Sequence, residues 1–410
     1  MSDFKENVSN RFRLCMTVMF LLALLGLVAW IYELYGGLAT TGMRSVISWG
    51  LYICCFAFFV KLSAGGLIVA SSAEIFNIEA LKPLARLGAL LAAVCISLAA
   101  LSLVPDLGRP ERLFNVVLHP RLTSPMIWDV VIVAVYLMLA VTELRMMSTS
   151  PMTDDTRAHL RTLALVGLPA AFALHSITAW IFGLQISRTF WNTALMAPLF
   201  VISAIVSGTS LLAIVTWLLQ KLQGVKVQCE TWRKLSGLMA ISLAIELFFL
   251  FSEYLTMLWA NVPDEVATLR MLLPGGKFAA LFWIEWVLGG ALPLVLLFAP
   301  KTRQQIRFVV TSAGLIMVGV FAFQFELTTV GLARPLIELA PGNSLGTYKP
   351  RESVFQQVGQ YSPTWVEYLI VLGLLAAGSA AVTLGYRHLG FKELSPAVSE
   401  NSNLRKAAQA

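Results

Sequence analysis

Between Thr189 and Gln220 the chain runs for 32 residues without a charged side chain, and between Thr162 and Ser187 for 26. A helix crossing the roughly 30 Å of bilayer hydrocarbon needs about 20 such residues. A helix apolar all round over that length has no face to turn towards water. These runs exclude a water-soluble fold. Eight more of the same kind give ten expected spans, at 14–35, 45–73, 84–105, 125–146, 161–187, 190–220, 235–260, 278–300, 306–332 and 364–387. Only 13% of the chain is charged, against about 25% in soluble domains. The expected class is an all-α integral membrane protein of about ten transmembrane helices. Pro169, Gly183, Pro198 and Gly208 inside the apolar runs suit helices that pack closely or kink within a bilayer.

Direction follows from Lys and Arg. With spans numbered in chain order, 19 fall at the N-terminus, the even-to-odd connections and the C-terminus, and 10 in the other connections. Lys61 sits inside a helix. The positive-inside rule then places both termini in the cytoplasm. The net charge of +7 marks that face and needs no nucleic-acid partner. The first apolar segment ends in YELYGG rather than at a small-residue cleavage site, so it is expected to stay as a helix. The outer side has three long connections, 105–124, 261–277 and 333–363. Their Asp106, Arg109, Glu111, Arg112, Asp264, Glu265, Glu338 and Arg351 form an expected mixed-charge platform. The polar tail 391–410 carries no readable chemistry.

Several activities lack residues to perform them. Cys15, Cys54, Cys55, Cys95 and Cys229 form no CxxC, so neither a disulfide framework nor a cluster-binding run is expected. Of His119, His159, His175 and His388, only His175 lies deep in a span, so a haem held by two intramembrane histidines cannot be built. The chain has no GxxxxGK[ST], HExxH or GxSxG. No haem, iron–sulfur cluster or metal of its own is expected, and any metal centres belong to partners. No internal repeat or inverted pair of broken helices is evident, which counts against a transporter.

A charge near the bilayer centre costs about 2.5–3.5 kcal/mol on insertion scales, so each one is a candidate for function. Glu253, Glu285 and Glu326 fall in the outer halves of the seventh, eighth and ninth spans; Lys61, Tyr136, His175 and Glu246 lie near mid-span. Asp106 ends the third span, Asp129 lies one turn into the fourth, and Glu74 closes the second. Each has a plainer use: Asp129 suits a helix N-terminus, Lys61 a structural ion pair, Glu74 an interface. At helical spacing His175, Thr178, Phe182 and Gln185 share a stripe. An imidazole, a hydroxyl, an amide and an aromatic ring could hold a quinone headgroup, with histidine able to exchange a proton.

The stretch 105–129, PDLGRPERLFNVVLHPRLTSPMIWD, resembles the corresponding loop of polysulfide-reductase-like (NrfD/PsrC-type) membrane subunits. So do 175–208, EYLTMLWANVP at 253–263 and LFWIEWVLG at 281–289; the likeness runs from about 45 to 332. Within that family the chain is most similar to ten-helix members such as those of menaquinone reductase complexes. The resemblance implies an eight-helix quinone-interacting core of two four-helix bundles at 45–332. A polar segment 1–13 and a first flanking helix with its loop at 14–44 precede the core. The loop 333–363, a last flanking helix 364–390 and the tail 391–410 follow it. It also implies a membrane anchor in the bacterial inner membrane that exchanges electrons between menaquinone or another quinone and an iron–sulfur protein on the periplasmic loops. A molybdopterin-type subunit, and in some complexes a multihaem cytochrome c, completes such assemblies. Some relatives carry a quinone-site histidine on the second span before an Ala-Gly pair; here the position reads Ser63-Ala64-Gly65. The quinone site is then expected among Asp106, Arg109, His175, Gln185, Tyr136 and Asp129, with Asp106 and Arg109 as a local ion pair. A proton path is expected among Glu253, Glu285, Glu326, Glu246, Lys61 and Glu74. The rival expectations are a proton- or solute-coupled transporter and a purely structural anchor.

Overall fold

The computed structural model describes residues 2–149, 153–335 and 359–389, with side chains from Phe12 onward. Glu338, Arg351, most of the 333–363 loop and the 391–410 tail lie outside the described residues. Among the described residues ten helices are long and apolar enough to cross a membrane: α1 (Phe12–Gly36), α2 (Leu51–Ile75), α3 (Lys82–Asp106), α4 (Pro125–Ser148), α5 (Asp154–Gly183), α6 (Met196–Gln223), α7 (Cys229–Ala260), α8 (Ala279–Phe298), α9 (Ile306–Ala333) and α10 (Trp365–His388). All ten expected spans are present.

Several boundaries differ from the expected ones: α5 and α7 start earlier, at Asp154 and Cys229 rather than 161 and 235, and three others bear on the bundle ends. α2 starts at Leu51 rather than 45, because Arg44–Gly50 runs in without helical bonding and buries Ile47. α5 stops at Gly183 and α6 starts only at Met196. Residues 184–195, apolar enough to read as helix, instead form an irregular connection packed into the end of the bundle. Its polar groups bond to neighbouring backbone: Trp191 Nε1 donates to Leu327 O at 2.7 Å, Asn192 Nδ2 to Gly183 O at 2.8 Å and Arg188 Nη1 to Arg334 O at 2.6 Å. Burial pulls the Arg188 guanidinium below its ordinary pKa. Phe190 and Trp191 are buried in the protein, while 184–187 stay exposed.

α2, α3, α4 and α5 pack as one four-helix bundle, and α6, α7, α8 and α9 as a second. The two meet where α2 lies against α6 and α9, and where α5 lies against α6. α1 and α10 pair with each other outside the core and lean on α3. α2 is buried on every side, from Leu51 to Ala73 almost without a break. That is why its sequence shows no amphipathic stripe.

Membrane helices gain nothing from hiding apolar surface against each other, so they depend on close approach. A Cβ on Gly65 would stand 2.3 Å from the Cα of Gly208, where α2 crosses α6. The same intimacy joins Gly289 of α8 to Gly319 of α9, and Gly26 of α1 to Gly373 of α10. The Gly65–Gly208 contact is the seam between the bundles. Gly65→Val should therefore destabilise the protein by about 3 kcal/mol. Gly314→Ala, where an added methyl group meets nothing within 4 Å, should leave it unchanged. Thermal unfolding in detergent checks the pair; equal midpoints would contradict this account of the seam.

Candidate functional site

The ionisable side chains inside the helices gather into three groups. The largest lies at the junction of the two bundles. Lys61, fully buried on α2, places Nζ 4.3 Å from the ring centroid of Phe200 on α6 and 4.4 Å from that of Phe323 on α9. Glu246 of α7 and Glu285 of α8 stand within electrostatic reach of it. Glu285 in turn faces Glu326 of α9, which accepts a 2.7 Å hydrogen bond from Tyr254 Oη. Glu246, Glu285 and Glu326 are each at most 5% exposed. Both oxygens of Glu285 and Oε2 of Glu326 are buried and make no hydrogen bond of ordinary geometry, and the two carboxyl groups interact with each other. Buried polar atoms are nearly always satisfied, so this cluster is the candidate functional site.

Local backbone helps to bring the acids together. α8 widens to a π-helical turn over Ile284–Ala291, and α9 does so over Glu326–Val330. Such turns are rare, often functional, and shift the side chains after them around the helix. Here each of the two begins at or beside a cluster carboxylate. A small cavity lies between Glu246 and Glu285 and is walled by Gly289, Gly290 and Gly319. A second, partly open cleft is lined by Glu326, Glu253, Thr193 and Tyr254. Thr193, in the irregular 184–195 connection, donates to Glu253 Oε2 at 2.9 Å.

The second group is in the first bundle. Asp129, 4% exposed on α4, accepts a 2.6 Å hydrogen bond from Thr178 Oγ1 of α5. One turn earlier on α5, His175 places Nδ1 2.8 Å from the Ala171 carbonyl. A carbonyl can only accept, so Nδ1 carries the proton; Nε2 is buried, and the Val60 carbonyl also lies near the ring. The ring lies beside Lys61, which ties this group to the first. Tyr136 donates to the Ser63 carbonyl at 3.0 Å and pins α4 to the middle of α2. Towards the other end Ser71 donates to Glu143 at 3.3 Å, with Glu74 near by.

The third group ties down the flanking helices. Glu367 accepts from the Gly42 amide at 2.7 Å and from Tyr361 Oη at 2.5 Å, and forms a capping box with Thr364. The Tyr361 oxygen accepts the Leu51 amide at 2.6 Å. Burial, and next the hydrogen bond to Glu367, push the Tyr361 phenol well up. Tyr52 donates to Glu33 close by.

Several expected site residues are thus placed apart. Asp106 stands near Glu33 and Glu367 rather than Asp129, and its Oδ1 has no partner. The expected ion pair with Arg109 does not form, because Arg109 begins a separate short helical turn, Pro110–Leu113, and points to the surface. Gln185 leaves the His175 stripe because α5 has already ended; its exposed amide turns back to the Ile181 carbonyl. Sequence reading passes over Glu33, Glu143 and Glu367, which lie near helix ends and read as interfacial. It also passes over Tyr254, Thr193 and Phe200, whose side chains carry no charge to draw notice.

Comparison with known sequences settles the kinship. The family described as polysulphide reductase, NrfD, matches residues 39–335. The chain belongs to the NrfD family. It is 35% identical over 399 residues to a Halobacterium salinarum protein provisionally named as the membrane component of a dimethyl sulfoxide reductase, covering 92% of this chain and 91% of that one. It is 27% identical over 375 residues to the Hdr-like menaquinol oxidoreductase integral membrane subunit of Archaeoglobus fulgidus, covering 91% and 92%. It is 22% identical over 402 residues to the menaquinone reductase integral membrane subunit of Nitratidesulfovibrio vulgaris, covering 93% and 92%. The family match spans both four-helix bundles of this NrfD chain and leaves out the flanking pair.

The packing of Lys61 makes a direct prediction. Lys61→Met removes the ammonium that compensates the nearby acids and should cost about 3–5 kcal/mol of stability. Lys61→Met with Glu246→Gln should cost less than Lys61→Met alone. Strictly additive unfolding free energies in detergent would contradict the coupling.

Proposed function

We propose that this NrfD chain is the quinone-interacting membrane subunit of a respiratory oxidoreductase complex. Electrons pass between an iron–sulfur partner on the loop-rich end and menaquinone in the membrane, and the buried acids handle the accompanying protons. The observation that carries this reading is the Lys61–Glu246–Glu285–Glu326 cluster, costly to bury and joined to a cleft, in a chain whose relatives are named for menaquinol and menaquinone complexes. The reductase name of the Halobacterium relative supports a catalytic partner, for which a molybdopterin-type subunit, with or without a multihaem cytochrome c, is the proposed class. The Lys and Arg balance supports a cytoplasmic-membrane protein with both termini inside and the loop-rich end outside.

Quinone chemistry explains why protons matter here. Quinol oxidation gives up two electrons and two protons; reduction takes up the same. The electrons leave to or come from the partner's clusters, and the protons need acceptors in a place without free water. Asp129, held by Thr178 beneath the 105–124 loop, is the proposed headgroup partner in the first bundle. His175, within electrostatic reach of Lys61, links that headgroup to the cluster. Glu326, Glu285, Glu246 and Lys61 form the proposed proton path, and Glu143, Ser71 and Glu74 line its continuation towards the opposite end. Tyr136 holds α4 against α2 and positions Asp129. Asp106 and Arg109 shape the loop above, and Gln185 and Glu253 lie at the rim.

In the purified complex, Asp129→Asn should lower quinone-dependent turnover about 10²-fold or more, while partner activity with an artificial electron donor stays unchanged. Glu285→Gln should slow turnover without weakening quinone affinity. Unchanged turnover in both variants would overturn this assignment. Affinity purification of the chain separates the classes: an iron-containing partner is expected, and a chain that purifies alone and moves a solute would instead be a transporter.

A further inference from the structure

The cleft between α6, α7 and α9 is lined unlike a proton path. Its walls are Leu195, Met196, Leu199, Leu250, Met257 and Phe323, with further apolar groups. Apolar cavities of this kind do not hold water well. Its polar groups are concentrated instead in two facing pairs, Tyr254 with Glu326 and Thr193 with Glu253. Glu326 is 1% exposed, accepts from Tyr254 and faces Glu285. An apolar channel that ends on hydrogen-bonding groups is the shape of a site for an amphiphile with a long tail.

The lining chooses among amphiphiles. It contains two carboxyl side chains and no Lys or Arg. A phosphate or fatty-acid carboxylate would face like charge with nothing to pair it. A neutral ring with hydroxyl groups suits it: each hydroxyl can donate to a carboxylate oxygen, with the ring against Phe323 and Phe190. The exposed apolar face of α7 beside it, Phe248, Phe251, Leu255 and Leu258, lets a tail pass straight into the hydrocarbon.

We infer that this cleft is a second binding site for a hydroquinone with an apolar tail, in the second bundle and separate from the Asp129 headgroup site. It rests on the quinone reading above and adds a distinct place. Its closed end abuts Glu326, so a ligand hydroxyl there stands at the head of the acid cluster. The inference is one of binding; no electron transfer at this second position is implied.

The test uses the full chain in phosphatidylcholine nanodiscs and a photoreactive azido-naphthoquinone with a geranyl tail, with labelled peptides mapped by mass spectrometry. Labelling is expected on 190–199 and 250–257, in addition to the peptide holding Asp129. Leu199→Trp fills the cleft and should remove the first labelling while sparing the second. Tyr254→Phe, which keeps the bulk and loses one hydroxyl, should weaken labelling in the cleft by about tenfold. Labelling at Asp129 alone, or cleft labelling that survives both substitutions, overturns the second site and leaves the function standing. Cleft labelling displaced by an alkylamine and not by unlabelled naphthoquinol also overturns it, in favour of a cationic amphiphile. Labelling at neither place overturns both.

Discussion

A single ammonium group in the middle of the membrane governs this structure. Lys61 is fully buried on α2, at the junction of the two bundles, and its charge would cost about 3 kcal/mol to leave uncompensated there. Two aromatic faces at 4.3 and 4.4 Å return about 2 kcal/mol each when desolvated. They offset the insertion cost but leave no room for a second like charge. The surrounding acids are therefore best understood as its counter-charges. One ammonium neutralises one carboxylate, whereas Glu246, Glu285 and Glu326 supply three. The surplus carboxyl groups have no buried cation to pair with, and on the proposed function they are the ones that take up and release protons.

The architecture serves that cluster. Phe200 and Phe323, which hold Lys61, come from helices of the second bundle, while Lys61 comes from the first. The glycine contact between Gly65 and Gly208, one turn further along, brings the two backbones near enough for such short reach. The π-helical turns at Glu285 and Glu326 give up ordinary helical bonding at the place where the acids must face inward. α1 and α10 take no part; their own buried carboxylates, Glu33 and Glu367, bond to Tyr52, Tyr361 and backbone amides, and act as clasps.

Much of this was legible in the sequence. The ten spans follow from apolar length alone, and Lys61, Glu246, Glu285 and Glu326 stand out because charge within such spans is rare. What failed to show was whatever depends on backbone that is irregular yet buried. The 184–195 segment reads as helix because it is apolar, and its early break removes Gln185 from the stripe it was expected to share with His175. The Asp106–Arg109 pair fails for a similar reason: a turn between them sends one side chain inward and the other out. The cleft was invisible because its walls are ordinary Leu, Met and Phe, and only the meeting of three helices makes them a site.

The central claim is that the buried acids exchange protons as quinone turns over. Redox-triggered infrared difference spectroscopy of the intact complex reads this directly, through the carbonyl stretch of protonated carboxyl groups. The account predicts a carboxyl band that changes when the quinone is reduced and is lost or shifted in Glu285→Gln. A difference spectrum with quinone bands but no carboxyl signal, identical in wild type and Glu285→Gln, would contradict it.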